Sequence, residues 1–457
     1  MPSRFTHSSG MTKSQVLFSV LAAAIMCGFP IYFITRPPKP KGGDIEFASD
    51  RAPLAMQEAA AVGVPLTAKD LLPKPPVTDA ENAAPLLNKA EGLLGTVQDA
   101  IKIGADLQAA QIKNDHTAVA KILAEHNDAM VVALKAAKMP RCYIYRDWDA
   151  SADLTMPDLV ALKYLVQLFV AHSEESAFRK DHKGALVDLE VAQKLSGFAG
   201  SDPGMIAMLL QLGLRKLVYR GVERCLEFAV TDLDALKGYD AFLNEPPPPV
   251  NIDYAMAGES YTLTSIIRNL DVNDIHSSAP TDPTKLVRSG LPSSPVSRAY
   301  LDRHWELWTR IYQDTTSANR AVAAARAYRE IAHDPRKSYL LDAQFANTYD
   351  GIEDRLLDDI VYRKIVNLLA KALTYKAEKG AYAKDLSELD VQDADIFGAP
   401  AYHYTVTPKG IVIYSIGPDH KDDLGKPLYQ DKDQKEHGDI VASYPPIPFT
   451  SEPEPKN

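Results

Sequence analysis

Ile411–Ile440 reads IVIYSIGPDHKDDLGKPLYQDKDQKEHGDI, and its ends follow a different rule from its middle. Ile411 to Ile416 is a β-branched run. Ala401 to Val406 (AYHYTV) precedes it across Thr407, Pro408, Lys409 and Gly410. A polar Pro/Gly connection of that length closes hairpins, so the two runs are expected to pair antiparallel. Gly417 and Pro418 end the second run, and Ile440 to Tyr444 resumes an apolar, strand-like pattern. A small sheet is therefore expected to carry a long loop held at both ends.

That loop offers Asp419, Asp422, Asp423, Asp431, Asp433, Glu436 and Asp439 against Lys421, Lys426, Lys432 and Lys435. Hard cations such as calcium take about six to eight oxygen ligands, which a loop of this composition can supply by folding back on itself. Carboxylates crowded without a cation repel, so such a loop is expected to be loose until one binds. The competing reading is a solvated acidic loop whose lysines balance it locally. Composition leaves both open.

Upstream, Asp350-Gly351-Ile352-Glu353 has capping-box spacing, with Asp350 as the cap and Glu353 three residues on. Ile352, Leu356, Ile360, Ile365, Leu368, Leu369, Ala372 and Leu373 then keep a helical period, and Gly380 suits a helix stop. Gly380-Ala381-Tyr382-Ala383 follows, with Leu386 and Leu389.

From Asp350 onward these features resemble the carboxy-terminal part of the major pseudopilin (G type) of type II secretion systems. The resemblance rests on Tyr414-Ser415-Ile416-Gly417-Pro418-Asp419, on Gly438-Asp439-Ile440 and on the Gly380 to Leu389 pattern. It implies a small α/β subdomain with a calcium-binding loop. Asp419 and Asp439 match the family's bracketing aspartates, and Ser415 and Ile416 lie where the family contributes backbone carbonyls. Asp422, Asp423, Asp431 and Asp433 fall in the variable middle, so they enter the ligand set without individual roles. Two departures matter. Ala383 stands where the family has proline, and the amino-terminal apolar run lacks a prepilin-peptidase site with a glutamate at its fifth position. Membership of a type II secretion or pilus-like assembly is therefore kept as an alternative.

The chain has 457 residues, enough for two or three domains, and its 46% hydrophobic and 24% charged content is that of a globular protein. A net charge of -10 and a pI near 5.6, with no clustered basic face, exclude a nucleic-acid partner. Three cysteines make no framework. Cys142 and Cys225 are the pair available outside the apolar amino-terminal run, and unpaired buried thiols are the expectation for them.

Residues 1–15 read as a leader. Val16 to Thr35 (VLFSVLAAAIMCGFPIYFIT) carries no charge and has the length of a bilayer-spanning helix. The apolar run continues past the Ala22–Ala24 cluster, which favours a retained anchor over a cleaved signal. This places the protein in the cell membrane as a single-pass protein with an extracytoplasmic body. Residues 36–79, punctuated by Pro53, Pro65, Pro73, Pro75 and Pro76, read as an extended tether.

Residues 80–245 read as a helical domain. Helices are expected over 84–113, 116–138, 157–180, 184–198 and 203–229, with Arg141 to Asp149 packed over them as an amphipathic loop. Residues 246–297 are rich in Pro, Ser, Thr and Asp and read as a connector. Residues 298–349 read as a helical segment, 350–445 as the α/β subdomain and 446–457 as a tail. Pro65-Leu66-Thr67, Glu81 to Leu86, Cys142, Asp147-Trp148 and Pro157 together resemble a group of membrane-anchored bacterial envelope proteins, which implies architecture and no activity.

Sequence signatures of catalysis are missing. No zincin His-Glu-x-x-His, no Gly-x-Ser-x-Gly elbow and no Gly-x-Gly-x-x-Gly occurs. His172 with Glu174 and Glu175 is expected to form a solvated helix face. His420 and His437 lie in the acidic loop and leave a metal-dependent hydrolase of envelope polymers as a further alternative. The expected protein is mainly α, with a transmembrane helix, a multi-helix body and a short antiparallel sheet. Its expected role is non-enzymatic scaffolding among envelope proteins, with calcium as cofactor.

Overall fold

The computed structural model describes residues 51–146, 148, 157–268, 295–332, 349, 351–391, 393–430 and 436–447. The leader, the apolar run 16–35 and the tail from 448 lie outside the described residues. Among the described residues no helix is long and apolar enough to cross a membrane. The fold is mainly helical, with one small antiparallel sheet.

The helices are α1 Ala52–Ala61, α2 Ala84–Leu94, α3 Val97–Ile112, α4 His116–Glu125, α5 Asn127–Ala137, α6 Pro157–Phe178 and α7 His182–Ala199. They continue with α8 Met205–Ala229, α9 Leu233–Asn244, α10 Ile252–Arg268, α11 Pro295–Gln313, α12 Arg320–Ala332 and α13 Ile352–Lys379. Local chemistry explains where several begin. Asp115, Asp181 and Asp232 each accept from the amide three residues on, at 2.9 to 3.0 Å, capping α4, α7 and α9. The short links before α7 and α9 make antiparallel neighbours.

The helices expected over 157–180, 184–198 and 203–229 are present as α6, α7 and α8. The two expected upstream are each divided. Thr96 and Asp99 form a reciprocal capping box that starts α3 after Gly95, and the chain turns again at His126 between α4 and α5. Apolar periodicity persists across both breaks, which is why the sequence reads as continuous.

Two cores organise the packing. The larger gathers α2 to α9, α13 and the sheet around α6, whose Leu165, Val166, Leu168 and Ala171 are sealed from solvent. The second joins α1, α10, α11, α12 and the first turns of α8 and α13 around Trp305 and Trp308. Helices α8 and α13 run through both, and Arg215 of α8 is paired with Asp359 of α13 at 2.9 Å with both side chains buried.

Two segments differ from expectation. Part of the expected tether is helix α1, with Pro53 in its first turn and Ala52, Ala55 and Ala59 buried against α11. Part of the expected connector is α10, whose Met256, Leu263 and Ile267 lie in the second core. Prolines and Ser/Thr content flank these helices and mask them in sequence. Residues 269–294 lie outside the described residues.

Helix α13 begins after Gly351, which takes the cap position with no side-chain cap bond, while Asp350 lies outside the described residues. It ends where expected, at Gly380, whose left-handed backbone (φ +79°) lets its amide reach the Lys376 carbonyl. Strands β1 His403–Thr407, β2 Gly410–Ser415 and β5 Ile440–Tyr444 form an antiparallel sheet in the order β1-β2-β5. The hairpin pairs His403 with Tyr414 and Thr407 with Gly410, and β2 pairs Ser415 with Ile440. Ile411, Ile413, Ile440 and Ala442 are buried, and α13 packs against β2 and β5. Short strands β3 Tyr429–Gln430 and β4 Glu436–His437 pair within the long loop.

Candidate functional site: the acidic loop between β2 and β5

The loop leaves β2 over a buried carboxylate. Asp395 is 3% exposed and accepts from the Ser415 hydroxyl at 2.8 Å, the Ile416 amide at 3.0 Å and the Phe397 amide at 3.0 Å. Ser415 and Ile416 are thus tied to Asp395 through a hydroxyl and an amide. Sequence reasoning missed Asp395. Its one legible signal was turn chemistry, an Asp two residues before an amide it can cap, with Gly398 following.

Beyond Gly417 the chain turns, and the His420 amide donates to the Gly417 carbonyl. His420 meets the Phe397 carbonyl through Nδ1 at 2.7 Å and lies edge-on to the Phe397 ring. Asp419 accepts from the Lys421 amide at 3.1 Å through Oδ1. Its Oδ2 is buried without a hydrogen bond, 3.4 Å from His437 Nδ1. Asp422 accepts from the Tyr414 hydroxyl at 3.1 Å and from the Leu424 amide at 2.9 Å.

Asp439 is the organiser. Its side chain is sealed at the start of β5 and reaches back across the loop to accept from Gly425 N at 2.6 Å and Asp423 N at 3.2 Å. Its own amide donates to the Lys426 carbonyl at 2.7 Å, so the 423–426 turn is clamped from both sides. Burial raises the Asp439 carboxyl above its ordinary pKa, the nearby Asp422 and Asp423 charges add to this, and the two amides pull the other way. At the tip Leu424 is 84% exposed with a left-handed backbone (φ +60°). Loop tips that expose an apolar side chain in a sparsely populated conformation are typical of recognition surfaces.

Of the residues expected to hold a cation, Asp422, Asp423 and Asp439 come together at one turn. Asp419 stands apart beside His437, and Asp431 and Asp433 lie outside the described residues. Among the described residues no three His, Cys, Asp or Glu side chains are grouped closely enough to hold a metal ion. His420 and His437 are engaged by different partners. In the described part of the loop two backbone amides satisfy the Asp439 carboxylate.

The site sits on a frame fixed to the helical body. Glu223 of α8, 6% exposed, accepts from the Tyr362 hydroxyl of α13 at 2.9 Å and from the Ser443 amide of β5 at 2.8 Å. Body, long helix and sheet meet on that one carboxylate. The packed reading of the Arg141 to Asp149 loop is supported where it is described: Cys142, Arg146 and Trp148 are buried, and Arg146 pairs with Asp158 and Asp202. Cys142 and Cys225 are buried free thiols, as expected.

Comparison with protein-family models, with curated proteins and with solved structures returned no match.

Proposed function

We propose that this chain is a non-enzymatic, single-pass membrane-anchored interaction protein of the cell envelope. In this reading the apolar run 16–35 is the anchor. The helical body is the frame, and the acidic loop is the surface presented to a protein partner. The observation that carries the reading is the clamp by Asp439. A buried carboxylate fixes a turn whose tip projects Leu424 between Asp422 and Asp423 on one side and Gly425 on the other. Holding acidic side chains and an exposed leucine on a rigid sheet is a cost without benefit to folding, and it is repaid when a partner covers them.

Calcium is the proposed ligand of this loop. The buried Oδ2 of Asp419 supports it, because it accepts no hydrogen bond and faces His437 Nδ1 at 3.4 Å, which leaves lone pairs for a cation. Asp419 would supply the carboxylate oxygen, with backbone carbonyls and water completing the oxygen set. Bound there, calcium would supply charge neutralisation and stiffness.

Calorimetric titration of the purified chain with calcium, repeated on Asp419→Ala, tests this. The reading expects saturable heat and a higher melting temperature in the parent protein, both lost in the variant. Absence of heat together with an unchanged melting temperature would remove calcium from the proposal. The partner surface is tested separately, by in-cell photo-crosslinking from position 424. Crosslinks to envelope proteins are expected, and a strictly uncrosslinked chain would refute it.

A further inference from the structure

A second polar cluster lies in the helical body, far in sequence from the acidic loop. A groove of about 540 Å³ runs between the α4–α5 pair and the α6–α7 pair, within the size range of small-molecule sites. Leu123, Met130, Leu134 and Phe169 line it with apolar surface. One end is different: Glu175, His172, Asp188 and Arg179 gather there. Glu174 and Glu175 were expected on a solvated face. Both are buried, because His116 from α4 and Arg224 from α8 meet them across helix interfaces.

Glu175 is 5% exposed. Its Oε1 lies 2.5 Å from His116 Nδ1, and that ring is stacked on Phe178 at 3.7 Å and flanked edge-on by Phe228. The clamp fixes the carboxylate of this groove-lining residue, and its buried Oε2 makes no hydrogen bond. Oε2 is ion-paired with Arg179 at 3.6 Å, and the Arg179 side chain is 64% exposed. Asp188 is held 2.6 Å from His172 Nδ1. That hydrogen bond raises the His172 pKa against the opposing effect of burial.

The carboxylates here are thus buried and the basic side chains that meet them are exposed. The Glu175 and Asp188 side chains are 6% and 13% exposed, against 47% for His172 and 64% for Arg179. Arg179 keeps its hydration when it leaves the pair, whereas the buried Glu175 carboxylate then needs another positive partner. The carboxylates cannot move away, and an orphan buried acceptor costs about 1–3 kcal/mol.

We propose that this groove binds a small cationic amphiphile. An amine head donates to Glu175 Oε2 in place of Arg179, and an apolar body lies along Leu123, Met130, Leu134 and Phe169. Met130 suits such a site because its unbranched thioether adapts to different apolar shapes. The site shares no residue with the acidic loop, so it stands or falls independently of the calcium reading.

The test uses the full chain in lipid nanodiscs, with empty-nanodisc heats subtracted, titrated with 4-phenylbutylamine and separately with 4-phenylbutyrate. The amine should bind saturably and the carboxylate at least about tenfold more weakly. Glu175→Gln keeps an acceptor for His116 and removes the charge, and it should weaken amine binding by about 10- to 100-fold, the worth of a charge-assisted hydrogen bond. Val131→Trp, at a rim position 41% exposed, should block the groove and abolish binding while leaving the melting temperature unchanged. Three results would each overturn the proposal: no saturable binding of the amine, equal binding of both probes, or amine binding that Val131→Trp leaves intact. If Glu175→Gln fails to fold, the probe comparison and Val131→Trp decide the matter without it.

Discussion

Replacing Glu223 with alanine should loosen the sheet from the helical body. The carboxylate is buried and takes two donors, the Tyr362 hydroxyl and the Ser443 amide. Alanine orphans both in a site closed to water. At about 1–3 kcal/mol per orphaned donor, the loss is about 2–6 kcal/mol. Tyr362→Phe removes one donor and leaves the Ser443 amide bonded, so it should cost about 1–3 kcal/mol.

A pH signature accompanies this. Burial, the largest influence, raises the Glu223 pKa in the folded protein, against the pull of its two hydrogen bonds and of Arg220 and Arg224. A folded pKa above the unfolded value means that the folded state binds the proton more tightly. The stability from this site is therefore fully present below the unfolded pKa and is lost as pH rises through the folded one. Glu223→Gln should flatten that dependence. Urea denaturation gives the stabilities, and hydrogen exchange at β2 and β5 locates the effect. A loss below about 1 kcal/mol in Glu223→Ala, with exchange in β5 unchanged, would refute the idea that this carboxylate joins body and sheet.

Three further outcomes are expected. Gly258→Ala should destabilise by about 1–3 kcal/mol in urea denaturation. A Cβ there would lie 2.1 Å from the Pro203 carbonyl oxygen, a backbone atom that cannot swing aside. Asp439→Ala should orphan the Gly425 and Asp423 amides and release the 423–426 turn, seen as faster cleavage after Lys421 in limited trypsin digestion while the helical body stays resistant. In a Cys27→Ser background, Cys142 and Cys225 should resist thiol reagents until the protein unfolds, because burial pushes both thiols up to about 12. Colour from Ellman's reagent in the folded protein would contradict that.

The acidic loop was legible because aspartate density between two β-branched runs is a local signal, and Asp439 could be singled out as its closing residue. Asp395 was not legible. It lies in an irregular segment 20 residues before Ser415, and nothing in its neighbourhood announces that it will be buried under β2. Glu175 shows the same limit more sharply. On a helical wheel it looks like one more acidic surface residue, and its partner His116 lies 59 residues away.

What the sequence determined alone are the features that depend on a few neighbouring residues: the Gly380 stop, the β1–β2 hairpin and the place of the loop. Tertiary structure decided that α1 and α10 belong to a core and that α8 and α13 run through two cores. It also decided which carboxylates are buried. Glu223 and Ser443 meet across 220 residues. Capping and turn preferences act over a few peptide units and can be read in order along the chain. Burial and pairing depend on which surfaces meet after the chain has folded back, and no local period encodes that encounter.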